Sequence, residues 1–86
     1  MKIHERRTKI FDNEAKILMP NEREILKVKK EGNELVMWVL YEDTEPWIEH
    51  DFVIIKTEEL IPFGYWDLIY YGEVAPGEFL FDVEED

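Results

Sequence analysis

Histidine is the side chain readiest to move a proton near neutral pH, and this chain has two, His4 and His50. His50 stands in Glu49-His50-Asp51. On a strand, successive side chains point to opposite faces, so Glu49 and Asp51 share one side and His50 takes the other. Zinc needs three or four convergent donors, and this spacing does not supply them, so the run reads as a solvated strand. Glu42-Asp43-Thr44-Glu45 is acidic but lacks the glycine and spaced oxygens of a calcium loop. It reads as a solvated loop. With 21 carboxylates, close pairs arise by chance, and no acid–base couple is assigned. Serine and cysteine are absent, and Thr8, Thr44 and Thr57 sit in no nucleophile motif. Gly32, Gly64, Gly72 and Gly77 each stand alone, which excludes a glycine-rich phosphate loop. The sequence therefore predicts no catalytic residue, no metal and no cofactor. It reads as a protein that binds rather than an enzyme.

Aromatic residues and charge remain as the means of binding. Trp38, Phe52, Phe79 and Phe81 are expected in the core, because large apolar groups on strands pack inward. Trp47, Tyr65, Trp66, Tyr70 and Tyr71 carry polar handles and fall near loops or on crowded strands, and such residues are favoured at interfaces. The expected partner-binding set joins part of this group to the acids around it: Glu42, Asp43, Glu45, Trp47, Glu49, Tyr65, Trp66 and Tyr71.

The net charge is −11 over 86 residues. Residues 1–30 hold nine basic and five acidic side chains, whereas residues 31–86 hold one base, Lys56, and sixteen acids. One reading is that basic N-terminal strands lie beside acidic C-terminal ones and the surplus keeps the protein soluble. The other is an acidic face that attracts a basic partner, such as the nucleic-acid groove of another protein. Direct binding to DNA or RNA is not expected, since phosphate contacts need clustered Lys and Arg.

These residues must be held by a short chain. Its length fits one domain, and 45% apolar with 14% aromatic residues is enough for a core rather than disorder. The absence of cysteine points to a reducing cytoplasm. Met1 to Arg7 has no apolar signal-peptide region, and Leu35 to Tyr41, the longest apolar run, is too short to span a bilayer, so no membrane association is expected.

Turn and alternation signals predict six or seven short strands. An edge strand over 2–11, guarded by charged residues, is followed by a turn at Asp12-Asn13-Glu14 and a short strand from Ala15 to Met19, stopped by Pro20. Ile25–Lys30 alternates, with Leu26 and Val28 on one face, and turns through Glu31-Gly32-Asn33-Glu34 into Leu35–Tyr41. That last strand is apolar on both faces and should be central and covered on both sides. Trp47–Ile55 is the next strand, then a connection in which Thr57 could cap one helical turn through Leu60. Tyr65–Val74, a Pro76-Gly77 type II turn and a last strand with Phe79, Phe81 and Val83 on its buried side complete the chain. The expected fold is all-β and mainly antiparallel: a compact six- to seven-stranded sandwich or partly open barrel, one domain over 1–86 with a frayed tail at 84–86.

In order along the chain, Met19-Pro20, Ile25-Leu26-Lys27-Val28, Val36-Met37-Trp38-Val39-Leu40, Phe52-Val53-Ile54-Ile55-Lys56-Thr57, Tyr70-Tyr71-Gly72 and Phe79-Leu80-Phe81 form a pattern that resembles a family of small phage- and prophage-encoded β-rich proteins. The chain departs from that pattern at Glu58, where the family has glycine, and at Asp82 and Glu84, where it has histidine and phenylalanine. The resemblance implies a phage accessory protein, a soluble β-domain and expression in a bacterial cytoplasm; it implies no reaction. The expected function is binding and modulating a host factor, such as a defence component, through the acidic, aromatic-containing surface. Two alternatives stand beside it: a binder of a small ligand such as a nucleotide signal, and a structural homo-oligomer, for instance a homodimer built on Leu35–Tyr41.

Overall fold

The structure, a computed structural model, describes residues 1–43, 46–61 and 68–83. They form seven strands: β1 (Lys2–Lys9), β2 (Glu14–Pro20), β3 (Glu24–Glu31), β4 (Glu34–Tyr41), β5 (Trp47–Lys56), β6 (Leu68–Ala75) and β7 (Glu78–Val83). Strands β1-β4-β3 make one sheet and β2-β5-β7-β6 the other, and every pairing is antiparallel. The all-β expectation is met by a two-sheet sandwich.

Local chemistry sets the corners. Asp12 and Asn13 both take left-handed backbone (φ 50 and 63), which these two residue types tolerate. Phe11 and Glu14 exchange both backbone hydrogen bonds across them, at 2.9 Å each. This tight turn carries the chain from one sheet to the other. The Asn13 carbonyl then accepts from the Ile54 amide at 2.7 Å, fixing the corner to β5. Gly77, at φ 74, supplies the positive φ that a proline-glycine turn requires between β6 and β7.

The core lies between the sheets. Leu35, Met37, Val39 and Tyr41 of β4 face Ala15, Ile17 and Met19 of β2 and Phe52 and Ile54 of β5, with Val28, Val74 and Leu80 closing the layer. Each large apolar side chain so buried contributes about 1.5–3 kcal/mol. On the far side, β3 approaches β6 closely. A Cβ at Gly72 would stand 3.1 Å from Val28 Cγ2, so glycine is what lets these strands meet. Lys30 then reaches Glu78 across the sheets, Nζ to Oε1 2.8 Å.

Four expectations need correction. In β7 the buried side chains are Leu80 and Asp82, while Phe79 and Phe81 are only partly buried. Both phenylalanines lie on the outer face, where Tyr70 packs against them at 6.2 and 5.4 Å between ring centroids. Their cross-strand neighbours there are Ile55 and Val53. Alternation could not choose between the faces because β5 is apolar on both. In β3 a register shift between Ile25 and Lys27 puts Leu26 outside and leaves Ile25 and Val28 inward, because a bulge residue breaks strict alternation. Trp38 sits on the outer face of the first sheet, where Lys27 lies over its ring at 5.1 Å. Strand β4 is central in its sheet, as expected, and on its outer side Val36 is fully buried beside its cross-strand neighbours Arg7 and Lys29. Finally, Thr57 and Glu58 form a turn, not a helix. Glu58 has φ 68, a left-handed value that ends any right-handed helical turn. The expected start of β6 at Tyr65 lies outside the described residues.

Candidate functional site

The antiparallel register brings one set of strand termini together. Pro20 pairs with Trp47, so the end of β2 meets the start of β5. Tyr41 pairs with Lys2 and Leu40 with Glu24, so the end of β4 lies beside the starts of β1 and β3. Leu68 pairs with Val83, which sets the start of β6 against the end of β7. Connection 21–23 and the chain entering and leaving 42–46 therefore share one end of the sandwich.

Five of the eight expected binding residues converge on this end. Glu42 and Asp43 follow β4 and are exposed, and the N-terminal amine of Met1 lies 3.7 Å from Glu42 Oε1. Trp47 opens β5 and remains 43% exposed. Its ring is held by the Arg6 guanidinium at 5.0 Å and by Tyr41 edge-on at 5.9 Å. Arg6 also donates to the Tyr41 hydroxyl at 3.1 Å, and His4 stacks on the Tyr41 ring at 4.0 Å. The tryptophan is thus fixed in place yet accessible, as an interface anchor needs to be. Glu49 and Tyr71 line a cleft at the same end. Glu45, Tyr65 and Trp66 lie outside the described residues.

The cleft has a volume of about 500 Å³, within the usual range of ligand-sized hollows. Its origin is visible in the pairing. Strand β7 pairs with β5 only from Phe52 onward, so among the described residues the first five of β5 pair with β2 alone. Asn21 and Arg23 of the β2–β3 connection close one side. Ile69 and Tyr71 of β6 close another, and Asp82 and Val83 of β7 the third.

A buried polar network stiffens its wall. Arg23 donates through NH2 to Asp82 Oδ2 at 2.8 Å, and both side chains are nearly buried. It donates through NH1 to the Asn21 carbonyl at 3.0 Å. The Tyr71 hydroxyl donates to the same Asp82 oxygen at 3.5 Å. Such a pair costs desolvation and holds only because its geometry and extra bonds offset that cost. His50 is 7% exposed, and its Nε2 donates to the Met19 carbonyl at 3.2 Å. Because a carbonyl only accepts, Nε2 carries the proton in this bond. Burial pushes His50 below the ordinary histidine value and the charge of Arg23 adds to this, outweighing the opposing hydrogen bonds to the Met19 and Pro20 backbone and the charge of Asp82. On the rim, the Lys16 ammonium lies 3.6 Å from Glu49 and 3.7 Å from Asp51. Those two acids, Asp51 foremost, hold Lys16 above its ordinary value.

The sequence reading missed Arg23, His50 and Asp82 as members of this network. Two signals pointed to them. Arg23 is the lone base in any segment between strands, and Asp82 is an acid within the apolar stretch of β7. Among the described residues, no three His, Asp or Glu side chains gather so as to hold a metal ion, and no helix is long and apolar enough to cross a membrane. The chain matches no family model, no curated protein and no solved structure.

Proposed function

We propose that the protein works by binding a basic protein partner through this acidic, aromatic-bearing end. The observation that carries the reading is the division of charge by the fold. The β1-β4-β3 sheet carries seven basic and four acidic side chains, and the other sheet two basic and six acidic. The segments between and after the strands carry eleven acids and one base, Arg23, and Arg23 is bonded to Asp82. Bases of the first sheet are drawn into local pairs: Arg7 with Glu5 and Glu31, Lys29 with Glu31. The unbalanced negative charge is thus left to the connections, and complementary charge steers a basic partner to it.

The polar groups of the cleft support binding over turnover, because Asp82 and His50 are bonded as structural groups. The resemblance to phage and prophage proteins supports placing the partner in the cytoplasm of an infected bacterium, as a host factor that the protein modulates or inhibits. Affinity capture from bacterial lysate tests this. A specific host protein held at low salt and released as ionic strength rises is expected; no specific capture, or capture indifferent to salt, would count against it.

A further inference from the structure

At the cleft end of the sandwich a strand inside the second sheet loses its partner. Strand β7 pairs with β5 only as far as Phe52. Beyond it, β2 and β5 run on as a two-stranded ribbon, paired without a register shift from Asp51 to Trp47. Backbone hydrogen-bonding groups along a strand turn to alternate sides. The Ile54 amide donates on the β2 side, to Asn13 at 2.7 Å, and the Thr57 amide on the β7 side, to Gly77 at 2.9 Å. Odd-numbered residues of β5 therefore face the line of β7. Val53 and Ile55 meet Phe81 and Phe79 there, whereas the amides and carbonyls of Trp47 and Glu49 meet no described strand. The outer edges of both sheets are guarded by contrast. Strands β3 and β6 carry register shifts and approach each other at Val28 and Gly72. Thr8 Oγ1 donates to the Lys16 carbonyl of β2 at 3.0 Å. Strand β1 exposes Lys2, Glu5, Arg7 and Lys9. A flat, unguarded edge is a template for another strand.

We infer that an extended segment of the basic partner pairs antiparallel with β5 along Trp47–Asp51, continuing the line of β7. This rests on the reading that the partner is basic, and it supplies the mode of contact. The cleft runs along the same edge, with Ile48, Glu49, His50 and Asp51 in its wall. Side chains of an incoming strand alternate between its two faces. Those turned inward meet Ile48, opposite the core residue Met19, and Ile69, opposite the buried Asp82. These two isoleucines stay 43% and 39% exposed, so apolar residues suit the inward places. Side chains turned outward lie beside Glu49, with Glu22, Glu42 and Asp43 exposed at the same end, so arginine or lysine suits them. A second copy of this chain would set Glu49 and Asp51 against the same acids, and like charges across a strand pair destabilise it.

The isotope-labelled chain titrated by NMR with an acetylated, amidated pentapeptide of alternating valine and arginine tests the pairing. N-methylation of that peptide at its arginines removes the amides that would bond to β5, whereas N-methylation at its valines leaves them. Replacing its arginines by glutamate reverses the charge. Saturable shifts at the amides of residues 47–51 are expected with the unmodified and the valine-methylated peptides. Arginine methylation should weaken binding about tenfold or more. Glu49→Pro, with its fold checked by circular dichroism, should weaken binding more than Glu49→Gln, since only proline removes the amide that faces away from β2. No saturable shift, equal binding of the arginine-methylated or the glutamate peptide, or Glu49→Pro no weaker than Glu49→Gln overturns the proposal. Shifts of the same amides with protein concentration alone make a second copy the occupant and overturn it. Peptide binding that appears only in a chain ending at Val83 makes residues 84–86 the occupant and overturns it too. A silent edge in a protein that still captures a salt-released partner removes the pairing alone. A silent edge with no captured partner removes both readings.

Discussion

Arg23 and Asp82, 59 residues apart in the chain, meet at 2.8 Å and tie the entry of β3 to the end of β7. The bond spans the two sheets and forms one wall of the cleft. Removing one partner leaves a buried charge unmatched. Arg23→Met or Asp82→Asn should each cost about 3–5 kcal/mol in urea unfolding, and the double variant Arg23→Met with Asp82→Leu should recover most of that loss. Additive losses in the double variant would show that the two groups do not act as a pair.

Gly72 governs a second crossing between the sheets. It has φ 144, and an added Cβ would press on Val28 Cγ2 at 3.1 Å. Gly72→Ala should destabilise the fold by about 1–3 kcal/mol. Val28→Ala in the same chain should relieve the steric part and leave the backbone part, so the two substitutions should couple. A double variant as unstable as the sum of the singles would contradict the contact.

Glu58 occupies left-handed backbone at φ 68. The strain at a non-glycine residue is about 1–2 kcal/mol, partly offset by the extra freedom glycine brings to the unfolded chain. Glu58→Gly should therefore stabilise the protein by about 0.5–1 kcal/mol, read as a raised urea midpoint at unchanged slope.

His50 makes stability depend on pH. Its value in the folded chain lies below the unfolded one, so the unfolded state binds the proton more readily. The stability this neutral ring contributes is complete above the ordinary histidine value and is lost as pH falls through the folded value. Unfolding free energies between pH 7.5 and 5.5 should decline in the wild type and decline less in His50→Gln. Equal slopes would remove His50 as the cause.

How much of this was legible in the sequence follows from where one rule acted alone. Turn chemistry placed the Asp12-Asn13, Gly32-Asn33 and Pro76-Gly77 corners, because left-handed backbone admits few residue types. Strand count and antiparallel class followed from those corners. Face assignment failed in β7, where apolar residues stand on both sides of the neighbouring β5 and alternation gives no preference. It failed in β3 because a single bulge at Leu26 reverses the phase. Glu42, Asp43 and Trp47 border one connection, so their nearness was legible, whereas Glu49 and Tyr71 reach the same end only through the pairing of β5, β7 and β6. The Arg23–Asp82–Tyr71 wall was not, because it depends on a crossing between sheets that no local pattern records.

The binding of the captured partner to two charge-altered proteins tests the central claim most directly. Glu42→Gln, Asp43→Asn and Glu49→Gln together neutralise the acidic end, whereas Lys27→Gln and Lys29→Gln alter the opposite sheet. Titration calorimetry at low salt should show affinity reduced about tenfold or more by the first set and little changed by the second. Equal affinity for the acid-neutralised protein and the wild type would contradict the account.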